Sequence, residues 1–288
     1  MKTTTLKTWI APLAMLLCCT SALGYDFEVD GIYYNITSER EKTVGVCGGI
    51  NDYHYGLYGR YNIPETIVYK NVTYSVTSIE ERAFYKNDGL IYIAFPHSIK
   101  TIGDEAFYGC INFGTIILPD GLTNIGESAF TACSKVTSIK IPKNVTNIGE
   151  NAFHSCINLS SVQFSCNITS IQKGTFASCR NLRQINIPST VKNIGKGVFY
   201  ECMALASIEL PDGITEIGDS AFYFTGLTTI NMPNSITDIG SHAFYYCKLT
   251  SIDIPKSVKS IKNSTFASCF NLSSVILHEG LTDIGGRA

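Results

Sequence analysis

Hydrophobic and polar positions recur along most of this chain with a nearly constant spacing. From residue 78 onward one pattern, AFxxCxxLxxIxIPxxVxxIGxx, returns again and again, as in AFTACSKVTSIKIPKNVTNIGEN at residues 129–151. The Phe of this pattern falls at Phe84, Phe107, Phe130, Phe153, Phe176, Phe199, Phe222, Phe244 and Phe266. A single unit of 22 or 23 residues buries almost nothing, whereas stacked units cover one another. The period therefore predicts a solenoid.

Each unit contains two segments with the alternation of a short strand. LxxIxI, as in LASIEL at residues 205–210, alternates apolar and polar residues and predicts a strand with one buried face. The Pro that usually follows ends this strand, because it has no N–H to donate. VxxI predicts a second short extended segment. Between the units, the spacing of four that separates Ile102, Ala106 and Cys110 predicts a brief helical turn that points all three inward.

One segment has the residue types of a cysteine hydrolase. NIGENAFHSC, at residues 147–156, brings Asn, Glu, His and Cys together. Cys156, however, occupies the fifth position of AFxxC, and His154 occupies a position that holds Tyr, Thr or Ala in other units. Cysteine recurs at that fifth position as Cys110, Cys133, Cys156, Cys179, Cys202, Cys247 and Cys269. We interpret these residues as buried small hydrophobes rather than disulfides, since ladder side chains point in parallel.

The N-terminus predicts export. Two lysines precede an apolar stretch at residues 9–19, and Ala22 and Gly24 supply the small residues that a signal peptidase recognises. We expect cleavage before Tyr25. The apolar stretch is too short to span a bilayer, so no transmembrane segment is predicted.

The remaining chain divides into a cap and a repeat domain. Residues 1–24 are the predicted signal peptide, residues 25–77 a β-rich cap, and residues 78–288 nine repeat units with a partial last one. Within the cap, DFEVDGIYYNI predicts a hairpin that turns at Asp30 and Gly31. YHYGLYGRY, at residues 53–61, is interpreted as an irregular connection, with a ligand loop as the alternative.

The last unit, GLTDIGGRA, stops at the Ala of the AF pair. We expect either that the sequence is a fragment or that an uncovered edge favours end-to-end self-association.

The unit LxxIxIPxxVxxIGxxAFxxC resembles the BspA-type leucine-rich repeat proteins of bacterial and some protist cell surfaces. The resemblance covers about residues 78–288, and the opening YDFEVDGIYYNI is similar to secreted members from the Bacteroides group. It implies a leucine-rich repeat solenoid of mostly short parallel β-strands, with brief helical turns and a β-rich N-terminal cap. Members of this family are associated with adhesion to matrix proteins, attachment between cells and recognition at surfaces. The resemblance therefore implies a secreted or cell-surface binding protein.

The outward-pointing residues of the first strand form the candidate ligand face. They are Lys140, Gln163, Asn186, Glu209, Asn231 and Asp253, with Arg183 and Gln184 beside them. Ile117 and Ile276 occupy the same row and are predicted to be exposed. Amides and hydroxyls dominate and aromatic rings are scarce, so we expect a host matrix or cell-surface protein as the partner, with a glycan as the alternative.

Charge and motifs argue against other classes of function. The formal charge is −2, from 22 basic and 24 acidic residues, so the chain lacks the basic field that attracts proteins to nucleic acid. No HExxH, GxSxG or phosphate-binding Gly motif occurs, and no CxxC follows the predicted signal. We therefore expect no metal, no cofactor and no catalysis.

Two other hypotheses stay open at this point. The chain could be the targeting module of a larger secreted hydrolase whose catalytic part lies beyond residue 288. It could also be a structural layer protein that stacks end to end. Reading the gene past Ala288 separates the first hypothesis from a free-standing binding protein.

Overall fold

The computed structural model describes residues 24–48 and 59–288, and these form a solenoid of parallel strands. The strands are β1 (Phe27–Val29), β2 (Ile32–Ser38), β3 (Thr43–Cys47), β4 (Gly59–Asn62), β5 (Thr66–Tyr69), β6 (Val72–Ile79), β7 (Leu90–Ala94), β8 (Thr101–Ile102), β9 (Asn124–Ile125), β10 (Ser138–Ile141), β11 (Asn147–Ile148), β12 (Ser161–Phe164), β13 (Ser170–Ile171), β14 (Gln184–Ile185), β15 (Asn193–Ile194), β16 (Glu216–Ile217), β17 (Asp238–Ile239), β18 (Ser251–Asp253), β19 (Ser260–Ile261), β20 (Ser274–Ile276) and β21 (Asp283–Ile284).

Each coil contributes to two ladders of parallel strands. The LxxIxI segments form the first ladder, here called the strand face, in which β10 pairs with β12 and β12 with β14, and later β18 with β20. The VxxI segments form the second ladder, which runs from β6 through β8 and β9 to β11 and resumes from β13 to β17. Pairing joins residues one repeat apart, such as Ser138 and Ser161. The predicted leucine-rich repeat solenoid is confirmed.

The AFxxC segment forms hydrogen-bonded turns, and no helix occurs in the described part of the chain. In the second coil, the Ala106 N–H bonds to the Gly103 carbonyl at 3.4 Å, while the Phe107 N–H bonds to the Ala129 carbonyl of the next coil at 2.8 Å. Glu105 has a φ of 51°, which turns the chain between these bonds. An α-helix would use all of these N–H groups within one coil. Alternate N–H groups here join neighbouring coils instead.

Nine phenylalanines form one continuous stack through the core. Successive rings lie 5.2 to 6.0 Å apart between centroids, and their planes agree within 15°. Phe84 begins this stack and Phe266 ends it. The stack is the direct structural result of the 22- to 23-residue period, because equivalent residues become neighbours along the axis.

The cysteines form a second ladder beside the rings. The thiol of each ladder cysteine donates to the carbonyl of the Phe in the preceding coil, at 3.0 to 3.2 Å between sulfur and oxygen. Two coils have another residue at this position, Asn87 and Thr225, and the Thr225 hydroxyl donates to the Phe222 carbonyl of its own coil at 3.1 Å. All nine cysteines in the described ranges are buried free thiols, as expected for small core residues.

The N-terminal segment caps both ladders. β1 and β2 form the predicted hairpin, in which Asp30 and Gly31 have φ values of 51° and 78°, as a type I′ turn requires. β3 pairs in parallel with β6 and so extends the second ladder, whereas β4 pairs in parallel with β7 and extends the strand face. Of the Tyr-rich segment, residues 59–61 belong to β4. Residues 53–58 lie outside the described ranges, as do residues 1–23 of the predicted signal.

The last coil leaves apolar side chains exposed. Val275, Ile276 and Leu277 of the strand face and Ile284 of the second ladder are all in contact with solvent.

Candidate functional site

Side chains on the strand face alternate between the core and solvent. In β10, Ile139 and Ile141 are buried while Ser138 and Lys140 are exposed. Parallel pairing brings like positions of successive coils together, so Lys140 lies opposite Gln163. The exposed positions therefore form rows that run along the solenoid axis.

All eight residues predicted for the ligand face are exposed, and five of them line one groove. The eight are Lys140, Gln163, Arg183, Gln184, Asn186, Glu209, Asn231 and Asp253. The groove has a volume of about 700 Å³, and the five that line it are Gln163, Arg183, Gln184, Asn186 and Glu209. It opens where strand pairing lapses, because β14 has two residues and the next coil, at 205–210, forms no strand.

Asparagine side chains join the coils where backbone pairing stops. The Asn186 Oδ1 accepts from the Phe164 N–H at 2.9 Å, and its Nδ2 donates to the Phe164 carbonyl at 3.1 Å. Asn231 makes the same two bonds with Leu210, both at 2.8 Å. Each amide supplies the donor and the acceptor that a strand would have offered. These two predicted ligand residues thus also hold the solenoid together.

The groove carries both signs of charge. Arg183 lies on one wall, and Glu209 lies one coil further along. Beyond the groove, the Oδ1 of Asp253 lies 2.7 Å from the Nε2 of His278 in the following coil. Of the two acidic residues of the face, Glu209 therefore lies in the groove and Asp253 shares a hydrogen bond with an imidazole.

A second recess lies nearer the N-terminus and was not predicted. It has a volume of about 960 Å³, and Ile91, Gly114 and Lys135 are among its lining residues. An adjoining recess of about 400 Å³ brings Lys140 beside Ile117, which is 62% exposed. The coils of Ile91 and Gly114, which line the larger recess, are joined on this face by an isolated bridge between Tyr92 and Thr115 instead of a paired strand. FGTIIL, at residues 113–118, keeps the phase of LxxIxI, so the pattern contains no signal for this recess.

Some hydroxyl groups beside the strand face form hydrogen bonds between coils. The Ser160 hydroxyl donates to the Thr137 carbonyl of the preceding coil at 2.9 Å, and the Ser273 hydroxyl donates to the Thr250 carbonyl at 3.1 Å. Such bonds reduce the number of hydroxyls that are available to a partner.

The segment that resembled a cysteine hydrolase has the chemistry of a core. The Cys156 thiol donates to the Phe130 carbonyl at 3.2 Å, and burial raises its pKa to about 12. Burial also lowers the pKa of His154, whose Nδ1 lies 3.0 Å from the Ser155 hydroxyl. A nucleophilic cysteine requires a lowered pKa. Cys156 is therefore a structural residue in this geometry.

Two properties of the described residues bear on the class of site. Residues 24–48 and 59–288 contain no group of three or more His, Cys, Asp or Glu side chains arranged to hold a metal ion. In the same ranges, no helix has the length and apolar character needed to cross a bilayer.

Solved structures with the same architecture come from several bacteria. The pneumococcal vaccine antigen PcpA is 22% identical, with a TM-score of 0.64, over 91% of this chain and 78% of that one. A leucine-rich cell surface protein of Faecalibacterium prausnitzii A2-165 is 21% identical, with a TM-score of 0.53, over 87% of this chain and 94% of that one. At these identities the two structures show a shared fold.

A third structure, a leucine-rich repeat protein of Bacteroides ovatus ATCC 8483, is 27% identical over 91% of each chain, with a TM-score of 0.42. No curated protein shows significant similarity to this chain. A family profile described as the BspA type leucine rich repeat region matches residues 77–206 and 192–288, with six copies. That match spans well over half of the sequence and coincides with the coils described above. The chain belongs to the family of BspA-type leucine-rich repeat proteins.

Proposed function

We propose that this protein is an exported, non-catalytic binding protein, and that its strand face binds a protein on a host matrix or on a neighbouring cell. The observation that carries this proposal is the groove in which five of the eight predicted residues meet. The groove exposes amide side chains, the guanidinium of Arg183 and the carboxylate of Glu209, on coils whose apolar side chains pack together in the core.

The chemistry of the groove favours a protein as the partner. Its opposite charges, at Arg183 and Glu209, suit a surface of mixed charge, and its amides can donate and accept. Sugars are commonly bound on the face of an aromatic ring. Tyr92, on β7 of the same face, has the Arg60 guanidinium 5.6 Å from its ring centroid.

The location at the cell surface rests on two supports. The residues at the N-terminus predict a signal peptide, and a structure with the same fold is described as a cell surface protein. Loss of Lys2 and Lys7 with the signal would leave 20 basic and 24 acidic residues, a charge of −4. An acidic mature chain fits a protein partner better than it fits nucleic acid.

The test is a charge reversal on the strand face with a matched reversal on the second ladder. Glu209→Lys with Asp253→Lys changes the face, and Glu216→Lys with Asp283→Lys makes the same charge change at exposed positions of the second ladder. Capture is measured against purified extracellular-matrix proteins and against surface proteins of neighbouring bacteria.

We expect the strand-face variant to lose at least about tenfold in affinity, which corresponds to about 1.4 kcal/mol. The reason is that lysines at positions 209 and 253 would repel the partner's groups that the two carboxylates attract. The second-ladder variant should bind like the unaltered protein, and both should keep the same circular dichroism spectrum. Unchanged capture by the strand-face variant would show that Glu209 and Asp253 are not part of the binding surface. An equal loss in both variants would indicate an effect of net charge alone.

A further inference from the structure

Contact between coils on the strand face is interrupted inside the groove, between residues 184–187 and residues 207–210. β14 pairs with β12 and is the last strand of its sheet. In the part of the chain that the structure describes, no hydrogen bond of backbone or side chain joins these two segments. We call this junction the seam. Further coils lie on both sides of it, so it belongs to the interior of the solenoid.

The coils are also furthest apart at the seam. The ring centroids of Phe176 and Phe199, in the cores of the two coils, lie 6.0 Å apart, against 5.2 to 5.7 Å at the other junctions of the stack. Ile187 is partly exposed and lines the groove, whereas Leu210, its counterpart in the next coil, is buried. The seam is therefore an open cleft between two coils.

One position of the repeat decides whether a side chain closes such a junction. Asn186 and Asn231 occupy this position, and each accepts from the N–H and donates to the carbonyl of one residue in the preceding coil. Glu209 occupies the same position at the seam, and the equivalent residue before it is Ile187. A carboxylate only accepts, so Glu209 cannot donate to the Ile187 carbonyl. Both backbone groups of Ile187 are left without this joint.

Charged residues at this position coincide with open junctions elsewhere on the strand face. Lys140 and Asp253 occupy it as well, and neither side chain bonds to the preceding coil in the described ranges. Strand pairing is also absent between each of their coils and the preceding one. A carboxamide at this position thus closes a junction, and a charged group leaves it open.

We propose that the seam binds the side-chain amide of an asparagine or glutamine in an extended segment of the protein partner. The amide accepts from the Ile187 N–H and donates to the Ile187 carbonyl, as Asn186 and Asn231 do within the chain. A basic residue beside it pairs with Glu209, and an acidic residue pairs with Arg183. This inference rests on the proposed function, since it assigns the chemistry of the partner at the same groove.

The dimensions and chemistry of the seam select a carboxamide. Asn186 closes the junction before the seam, where the centroids of Phe153 and Phe176 lie 5.7 Å apart, close to the 6.0 Å at the seam. A carboxylate on the partner would have no hydrogen to donate to the Ile187 carbonyl and would be repelled by Glu209. An ammonium group could not accept from the Ile187 N–H. A primary carboxamide satisfies both groups at once.

The probe is a pair of heptapeptides in which threonines separate one asparagine, one lysine and one glutamate, with the two charges in either order. Acetyl and N-methyl amide groups close the ends, so that asparagine carries the only primary carboxamide. The control peptides have leucine in place of asparagine, with nearly the same shape and no hydrogen-bonding group. Binding is followed by NMR at the Ile187 N–H.

We expect at least one asparagine peptide to bind and to shift the Ile187 resonance. Its leucine counterpart should bind at least about tenfold more weakly, because two hydrogen bonds are lost. Absence of binding by both asparagine peptides, or equal binding by the leucine peptides, would overturn the proposal.

Variants at the seam provide an independent test. Glu209→Asn supplies the joint from within the chain, so it should slow hydrogen exchange of the Ile187 N–H and weaken peptide binding, each at least about tenfold. Glu209→Asp has the size of asparagine but cannot donate. It should leave the exchange rate unchanged and bind the peptide at least about tenfold more tightly than Glu209→Asn does. Glu216→Asn makes the same substitution on the second ladder and should bind the peptide like the unaltered protein.

Two results with these variants would contradict the assignment. If exchange slows in Glu209→Asn while the affinity for the peptide is unchanged, the amide binds elsewhere. If exchange does not slow, a carboxamide does not bridge the seam. Loss of capture by the variant with Glu209→Lys and Asp253→Lys, combined with no binding of the peptides, would mean that the strand face binds its partner without this amide. Failure here is therefore distinguishable from failure of the proposed function.

Discussion

The cysteine of the AFxxC pattern, present in seven of the nine coils, combines packing with a hydrogen bond. Cys156 is fully buried beside the ring stack, and its thiol donates to the carbonyl of Phe130. Burial raises the pKa of this thiol from its ordinary 9.0 to about 12, and the pKa values of Cys110 and Cys247 rise to about 12 for the same reason. The thiols are therefore protonated donors at any physiological pH.

This shift predicts that the protein loses stability in alkali. The unfolded chain releases the proton near pH 9, whereas the folded chain retains it to about pH 12. The free energy of unfolding should be unaffected by these thiols below pH 9 and should fall above it. The expected slope is about 1.4 kcal/mol per pH unit for each such thiol. Urea unfolding at pH 7 to 10.5, followed by circular dichroism, measures it.

Cys156→Ser provides the control, because the serine hydroxyl can still donate to the Phe130 carbonyl but does not ionise in this range. The slope above pH 9 should decrease by the contribution of one thiol. An unchanged slope would mean that Cys156 ionises equally in the folded and unfolded states.

At the scale of elements, the strand face is a ladder with gaps that side chains close. β10, β12 and β14 pair as strands, whereas the next two coils, at residues 205–210 and 227–232, form no strand. Asn186 and Asn231 take over with two side-chain bonds each. These bonds keep the coils in register. The groove lies beside them, where the coil at residues 205–210 forms no strand.

Asn231→Ala should loosen one such joint. We expect a loss of about 1 kcal/mol in the free energy of unfolding, because two partly exposed hydrogen bonds disappear. The hydrogen exchange of the Leu210 N–H should accelerate, and NMR measures it directly. Gln163→Ala, at an exposed position within the paired part of the face, should leave that exchange rate unchanged. Equal exchange rates of the Leu210 N–H in Asn231→Ala and in the unaltered protein would show that the Asn231 side chain does not protect this N–H.

At the scale of the whole molecule, stability is distributed along one axis. Each ring of the stack contacts the rings of the coils before and after it, so a defect in the middle weakens two interfaces. This differs from a globular core, in which a residue is surrounded by many distant segments.

Phe153→Ala should therefore cost about 3 to 5 kcal/mol in the free energy of unfolding, by removing a fully buried ring from the stack. Phe153→Leu fills most of the space and should cost about 1 kcal/mol. Urea unfolding of both variants tests this, with strand-face capture measured where the protein is still folded. Capture should be normal there, since Phe153 reaches no surface. A loss below about 1 kcal/mol in the free energy of unfolding of Phe153→Ala would show that the ring stack contributes little to stability.

The sequence was sufficient for the features that depend on phase within a coil. The period placed Phe153 and Cys156 inside, it placed Lys140 and Gln163 outside, and the Asp30 and Gly31 pair predicted the hairpin of the cap. All of these follow from the direction of a side chain relative to its own backbone, which is a local property.

Only the tertiary structure decided what happens between coils. Asn186 and Lys140 occupy the same position of the repeat, yet Asn186 bonds to the neighbouring coil while Lys140 lies in a recess. The turns replaced the expected helical segment because their N–H groups bond across coils. The spacing between two coils depends on all the contacts that join them. For that reason the grooves and the asparagine joints could not be derived from the pattern within a single unit.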